Sequence, residues 1–295
     1  MWSPPGTAAA PVLSCLMERL VWRVGDRELD CSARTLIMGV LNVTPDSFSD
    51  GGEHLDPETA VAHARTMVDE GADILDIGGE STRPGSDAVP PDEELRRVVP
   101  VIERLARETD VPISVDTRRA SVAAEAAAAG ATIVNDVTAG RDPGMFDAVR
   151  DAKAGMVLMH MRGEPKSMQQ DTHYDDVVAE VRDHLGERVE AAVDAGLERE
   201  RLAVDPGLGF AKTSEGSLRL MRDIGAFLDL GRPVLVGPSR KSFIGHVLDT
   251  PVDERLEGTA GAVAYLVSRG AHIVRVHDVA EIAKVVRVVD AIRRA

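Results

Sequence analysis

The chain has 295 residues, with 34 basic against 49 acidic side chains and a formal net charge of −15. That balance argues against nucleic acid as a partner, because neutralising phosphates needs clustered Lys and Arg. No apolar run approaches the ~20 residues of a membrane span, and two cysteines, Cys15 and Cys31, without a CxxC pair, predict a reduced, cytoplasmic protein that does not engage a membrane. The Pro- and Ala-rich opening, residues 1–11, lacks the basic flank of a signal peptide. Residues 1–19 are therefore predicted to be a disordered tail, and residues 20–295, which show no break in composition, a single domain.

Residues 20–24 and 28–31 flank Gly25-Asp26-Arg27 and predict a β-hairpin. The run at 35–43 is rich in Val, Ile and Leu, too short for a helix and followed by Thr44-Pro45, the pattern of a parallel strand buried on both faces. The same unit then recurs: a short apolar run, a polar residue at its end, a Gly or Pro turn and a helical stretch. Eight such runs stand at 35–43, 73–78, 112–117, 132–137, 156–160, 202–206, 233–237 and 273–277. Helices are predicted at 56–71, 92–109, 118–129, 142–154, 174–195, 214–230, 253–269 and 279–294, most opening on Asp, Ser or Pro and several stopping at Gly. Eight βα units predict an α/β fold, a single (β/α)8 TIM barrel of the usual ~250 residues, with its active site at the C-terminal strand ends. The hairpin is expected to plug the bottom. Connections 44–56 and 161–173 are long for such units and read as binding loops, while the Gly-, Ser- and Pro-rich residues 78–85 belong at the mouth.

Asp76, Asp116, Asn135, Asp205 and His277 fall at or near the ends of these runs, where a buried carboxylate or amide is costly without a partner. Any one of them could simply cap the next helix; five together argue for a ligand. Asp116, Asn135, Asp205 and Lys241 suit a flat heterocycle edged with amide and amino groups, such as a guanine-like or pterin edge, because a carboxylate accepts from a paired ring N–H and exocyclic amine. Ser239-Arg240-Lys241-Ser242 precedes a short helical turn and Arg275-Val276-His277 the last helix, a pattern that predicts an anion site. Lys212 is expected to face solvent. Met159-His160-Met161 has no second His or Cys at ligand spacing, so Met159 is expected to pack against a ring face instead of binding metal. His54, His173, His184 and His272 read as surface or packing residues.

The segments Gly39 to Gly52, Asp76 to Gly85, Ser114 to Thr117, Asn135-Asp136, Asp205 to Lys212, Ser239 to Lys241 and Arg275 to Asp278 carry a resemblance. In their order and spacing, over residues 20–295, the chain resembles the bacterial dihydropteroate synthases of the pterin-binding family. The resemblance implies a folate-pathway transferase that condenses 6-hydroxymethyl-7,8-dihydropterin diphosphate with 4-aminobenzoate, releasing diphosphate and 7,8-dihydropteroate, with Mg2+ as cofactor. It implies that Asp116, Asn135, Met159, Asp205, Phe210 and Lys241 hold the pterin, with Asp116, Asp205 and Lys241 catalytic. It assigns the diphosphate to Asn42, Thr82, Arg275 and His277, the metal to Asn42, and the aminobenzoate to Phe48, Thr82, Arg83, Pro84 and Ser242. It further implies inhibition by sulfonamides and a homodimer. Loops 44–56 and 79–87 are expected to order around the first substrate, so that aminobenzoate binds second. Two alternatives stand beside it. A methyltetrahydrofolate-binding corrinoid methyltransferase would share the Asp, Asn, Asp grip but not need the cluster Arg240, Lys241, Arg275 and His277. A non-catalytic pterin-binding paralogue would release no diphosphate.

Overall fold

The computed structural model describes residues 19–44, 57–81 and 86–295; the predicted tail, apart from Arg19, lies outside them. The hairpin consists of β1 (Val21–Val24) and β2 (Arg27–Asp30). Val24 stands opposite Arg27, so Gly25-Asp26 is a two-residue turn. Gly25 has a φ of +59°, which such a turn requires and which a Cβ resists.

All eight predicted runs contain strands: β3 (Leu36–Asn42), β4 (Ile74–Gly78), β5 (Ile113–Asp116), β6 (Ile133–Asp136), β7 (Gly155–Met159), β8 (Leu202–Asp205), β9 (Leu235–Val236) and β10 (Ile273–Val276). They pair in the order β8-β7-β6-β5-β4-β3-β10-β9, every pair parallel. A single parallel bridge between Val204 and Val234 joins the two ends. The result is a nearly closed TIM barrel whose thinnest seam runs beside the two-residue β9.

Around it lie α1 (Pro57–Glu70), α2 (Pro91–Glu108), α3 (Ala120–Ala128), α4 (Met145–Asp151), α5 (Val177–Asp194), α6 (Ser214–Arg222), α7 (Gly225–Leu228), α8 (Ser242–Leu248), α9 (Leu256–Ser268) and α10 (Val279–Arg294). Several predicted helices are shorter than expected. Stretch 142–154 begins as a helix only at Met145, because Gly144 sits at φ +86° and cannot belong to a right-handed helix. Stretch 174–195 begins at Val177, where the Asp176 carboxylate accepts from the N–H groups of Val178 and Ala179 at 3.0 and 3.2 Å. Stretch 214–230 breaks into α6 and α7 around Asp223, and 253–269 opens on a 3-10 turn before α9.

Strand periodicity sorts the core into two layers. Ile37, Leu75, Ile77, Val115, Val134, Leu158, Val204, Val236 and Val274 face the helices. The alternate residues Met38, Ile74, Ile133, Val157, Ala203, Leu235 and Ile273 fill the lumen floor together with Trp22 and Val24 of the hairpin. The hairpin reaches this depth because β7 starts on Gly155, where a Cβ would lie 2.6 Å from Val24 Cγ1. Trp22 is fully buried and donates its indole N–H to the Arg201 carbonyl at 2.9 Å. The hairpin thus plugs the barrel bottom, leaving the other end for chemistry. No helix among the described residues is long and apolar enough to cross a membrane.

Candidate active site

Above the apolar floor the same inward positions turn polar. Residues i+2 from floor residues point into the lumen: Asp76 above Ile74, Asn135 above Ile133, Met159 above Val157, Asp205 above Ala203, Arg275 above Ile273. On β5 the outward residues Ile113 and Val115 leave Ser114 and Asp116 facing inward. Strand register sets Asn42 beside Gly78, Gly78 beside Asp116 and Asp116 beside Asn135, while Met159 pairs with Asp205. Asn42, Asp116, Asn135, Met159 and Asp205 therefore meet at one end of the barrel, as expected.

Arg275 reaches across this layer. Its Nε donates to Asp76 Oδ2 at 2.6 Å and an Nη to Asp116 Oδ2 at 2.7 Å. Asn135 Nδ2 also donates to Asp76 Oδ2, at 3.1 Å. The other oxygens, Asp76 Oδ1 and Asp116 Oδ1, are buried with no hydrogen-bond partner among the described residues, acceptors arranged for donors that a ligand would bring. Burial pushes the Asp116 carboxyl up to about 7 against the pull of Arg275, with Asp76, Glu94 and Asp136 adding to the rise. Burial likewise raises Asp205 to about 6, opposed by the Gly207 N–H at 2.7 Å and by Lys241, Lys212 and Arg275. Arg275 itself loses charge stability to burial, but Asp76 and Asp116 outweigh that and hold its guanidinium above its ordinary value. Arg275 was expected to serve an anion; here its guanidinium also binds the two lumen carboxylates.

His277 is held neutral, lowered to about 3 by burial and by Arg275 and Arg240, and its Nδ1 lies 3.0 Å from Ser239 Oγ. Arg240 pairs with Asp278, which brings the segment 239–242 against the end of β10. Ser242, the first residue of α8, is exposed at this rim. Phe48, Thr82, Arg83 and Pro84 lie outside the described residues.

Met159 and Phe210 join Val137, Met161, Met168 and Ala211 in a small apolar cluster, a flat wall for a ring. Lys241 Nζ stands 4.0 Å over the Phe210 ring. Lys212 departs from its expected place in solvent. It is 3% exposed, donates to the Phe210 carbonyl at 2.8 Å and the His160 carbonyl at 3.3 Å, and lies 3.0 Å from His160 Nδ1. The reason is local backbone: Gly207, Gly209 and Ala211 all have positive φ, so the loop folds back and carries Lys212 beneath itself. Burial lowers Lys212 well below the ordinary lysine value. His184, expected to be a surface or packing residue, packs edge-on to His160 with 4.9 Å between ring centroids.

One set of residues was missed from sequence. Glu94 on α2 is fully buried; Arg119 pairs with it and with Glu80, and donates to the Val89 carbonyl at 2.6 Å. Arg119 thereby ties both flanks of loop 81–88. Arg118 links Glu80 to Glu164, and Arg141 reaches the carbonyls of Gly163 and Met161 at 2.9 and 3.0 Å, so the loops after β4, β5, β6 and β7 are laced together. Glu94 reads as an ordinary first-turn acid of a helix, and nothing in its spacing marks burial.

Comparison with known proteins places this geometry. A family model described as pterin binding enzyme matches residues 38–277. The chain is 48% identical over 264 residues to the dihydropteroate synthase of Bacillus subtilis, covering 89% of this chain and 90% of that one. Among solved structures it is similar to the Xanthomonas albilineans dihydropteroate synthase with 4-aminobenzoic acid, at TM-score 0.88 and 47% identity over 94% of this chain and 99% of that one. A Yersinia pestis dihydropteroate synthase in a sulfonamide drug complex aligns with TM-score 0.88 and 42% identity, covering 93% of this chain and 100% of that one. With the fold, the lumen carboxylates and these relatives in agreement, the chain belongs to the pterin-binding enzymes and, within them, to the dihydropteroate synthases.

Proposed function

We propose that the barrel mouth joins 6-hydroxymethyl-7,8-dihydropterin diphosphate to 4-aminobenzoate through Asp116, Asn135, Asp205 and Lys241 as the pterin grip. The observation that carries this reading is Asp116 Oδ1, buried and without a hydrogen-bond partner among the described residues, beside an Asn135 amide already tied down by Asp76. A pterin edge supplies the missing donors, a ring N–H and an exocyclic amine. Met159 and Phe210 lie against the ring faces, and Lys241 meets the ring's oxo group from above Phe210.

The diphosphate falls to Asn42, Thr82, Arg275 and His277, where α10 begins two residues after His277. The described residues contain no group of three His, Cys, Asp or Glu side chains able to hold a metal. That donor set fits Mg2+ all the same, because Mg2+ binds chiefly through substrate phosphates and water and asks the protein for a ligand or two. The Asn42 carbonyl oxygen, at the last position of β3, is a suitable hard donor. Bound there, Mg2+ would neutralise the departing diphosphate.

The protein's own part is electrostatic. The C–O bond to diphosphate breaks first, Arg275 taking up charge on the leaving side, while Asp116 and Asp205 favour positive charge spread over the pterin. The arylamine of aminobenzoate, held by Phe48, Thr82, Arg83, Pro84 and Ser242, then forms the C–N bond and gives its proton to solvent. No side chain is needed as a covalent nucleophile. Sulfonamides compete for the aminobenzoate place. The enzyme works in the cytoplasm and as a homodimer, the dimer being supported by apolar residues exposed on its helices and the turn after α8, among them Val247, Val252, Val288 and Ile292.

Diphosphate release measured with pterin diphosphate, aminobenzoate and Mg2+ tests the proposal. Formation of 7,8-dihydropteroate alongside it should require all three and fall at least 100-fold in Asp116→Ala. Diphosphate released with no dihydropteroate formed in the presence of aminobenzoate, or no release from folded protein, would sink it. Equilibrium sedimentation tests the dimer.

A further inference from the structure

Asp76 stands at the centre of β4, fully buried, yet the reading above gives it no part. Its Oδ2 accepts from two strands that are not its neighbours: from Asn135 on β6 at 3.1 Å, past β5, and from Arg275 on β10 at 2.6 Å, past β3. A side-chain amide is nearly symmetric in shape, and which end faces a ligand is decided by its other contacts. Turned the other way, Asn135 would set its carbonyl oxygen against the Asp76 carboxylate, with two buried acceptors and no proton between them. One hydrogen of Asn135 Nδ2 is therefore committed to Asp76. The second hydrogen and Oδ1 remain to face the mouth, side by side. That pair is complementary to a ring edge with an amine next to an acceptor nitrogen, and mismatched to the same edge carrying an oxo group beside a ring N–H.

We infer that Asp76 is a positioning residue which, through its hydrogen bond from Asn135, fixes the direction of that amide and so makes the site select a 2-amino pteridine over its 2-oxo counterpart. The inference rests on the pterin reading of the site and adds the residue that sets its selectivity. Arg275 strengthens the arrangement, since its Nε–H on the same oxygen holds the Asp76 carboxylate in place. Asp76 needs no ligand contact of its own for this role.

The test is calorimetric affinity for a 2-amino-4-oxopteridine and for the matching pteridine-2,4-dione, on folded wild type, Asp76→Ala, Asp76→Asn, Asn135→Ala and the Asp76→Ala/Asn135→Ala double variant. The preference for the amino ligand should fall about 10-fold in Asp76→Ala, the worth of one oriented buried hydrogen bond. It should fall about 3-fold in Asp76→Asn, which keeps an oxygen but not its charge. In the Asn135→Ala background, Asp76→Ala should not change the preference further. A preference unchanged in Asp76→Ala, or lowered as much with Asn135 absent as with it present, would overturn the inference. Where Asp76→Ala does not fold, an unchanged preference in Asp76→Asn overturns it equally. Loss of preference in Asn135→Ala but not in the Asp76 variants would reject this role alone, whereas wild type without affinity for the amino ligand would reject the pterin reading and this inference together.

Discussion

Arg275 on β10 and Asp116 on β5 meet across the lumen, an Nη to Oδ2 at 2.7 Å, and the same guanidinium holds Asp76 at 2.6 Å. Removing it would leave two buried carboxylates unpaired. Arg275→Ala is therefore expected to cost about 3–5 kcal/mol of stability, the usual penalty for breaking a buried ion pair from one side, besides its loss of diphosphate binding. Urea denaturation checks the first effect and calorimetry with pterin diphosphate the second. A variant as stable as wild type would show that the ion pair adds nothing to the fold.

Pterin affinity should depend on pH through Asp116. Its carboxyl, raised to about 7 by burial, must be ionised to accept from ring donors, so binding releases a proton wherever the empty site is protonated. Affinity should rise as pH goes from 5 to 7 and level off above. Calorimetry in two buffers of different ionisation enthalpy reads that proton directly, and Asp116→Asn should reduce the release to the share that Asp205, raised to about 6, contributes below that pH. A flat profile would mean Asp116 is charged throughout or not in contact.

His272 gives a separate pH dependence, read in stability instead of affinity. It is lowered to about 4 by burial, with Arg293 adding, and its Nδ1 accepts from the Val234 N–H at 3.0 Å beside the β9 seam. A depressed folded value means the unfolded chain binds the proton first, so this stability is present above about 6.5 and lost as pH falls toward 4. Across that window the advantage of wild type over His272→Asn should shrink by about 2 kcal/mol. Denaturation midpoints at pH 7 and 4.5 measure it; a constant difference would contradict the assignment. Asp116 and Asp205, whose folded values are raised, tilt the curve the other way between about 4 and 7 in both proteins, and so cancel in the comparison.

Lys212→Met should destabilise by about 1–3 kcal/mol, because the carbonyls of His160 and Phe210 lose their donor in a buried place. A solvent-facing lysine would change stability by about 0.5 kcal/mol or less. Since the Lys212 amino group also holds the loop bearing Phe210, the KM for the pterin substrate should rise several-fold while that for aminobenzoate changes little. A neutral effect on both stability and KM would return Lys212 to the surface.

The barrel was legible in the chain because its signal is local and repeated: a run such as residues 202–206, apolar on both faces and closed by Pro206-Gly207, can hardly be anything but an interior parallel strand. Asp116, Asn135 and Asp205 were legible for the same reason, since polar residues ending such runs have one place to go. What the sequence could not carry was direction and partnership. Lys212 was read as exposed because its burial comes from backbone turns at Gly207, Gly209 and Ala211, and Ala211 gives no sign of a positive φ. Helix 142–154 was overlong because Gly144 acts through its left-handed backbone, which spacing does not reveal. Arg275, Asp76 and Asn135 come from strands far apart in the chain, 199 residues separating the first two and 59 the last two. Periodicity decides which face a side chain takes; only closure of the barrel decides which charges then share a single oxygen, because that depends on strand register and lumen width and on no local pattern of residues.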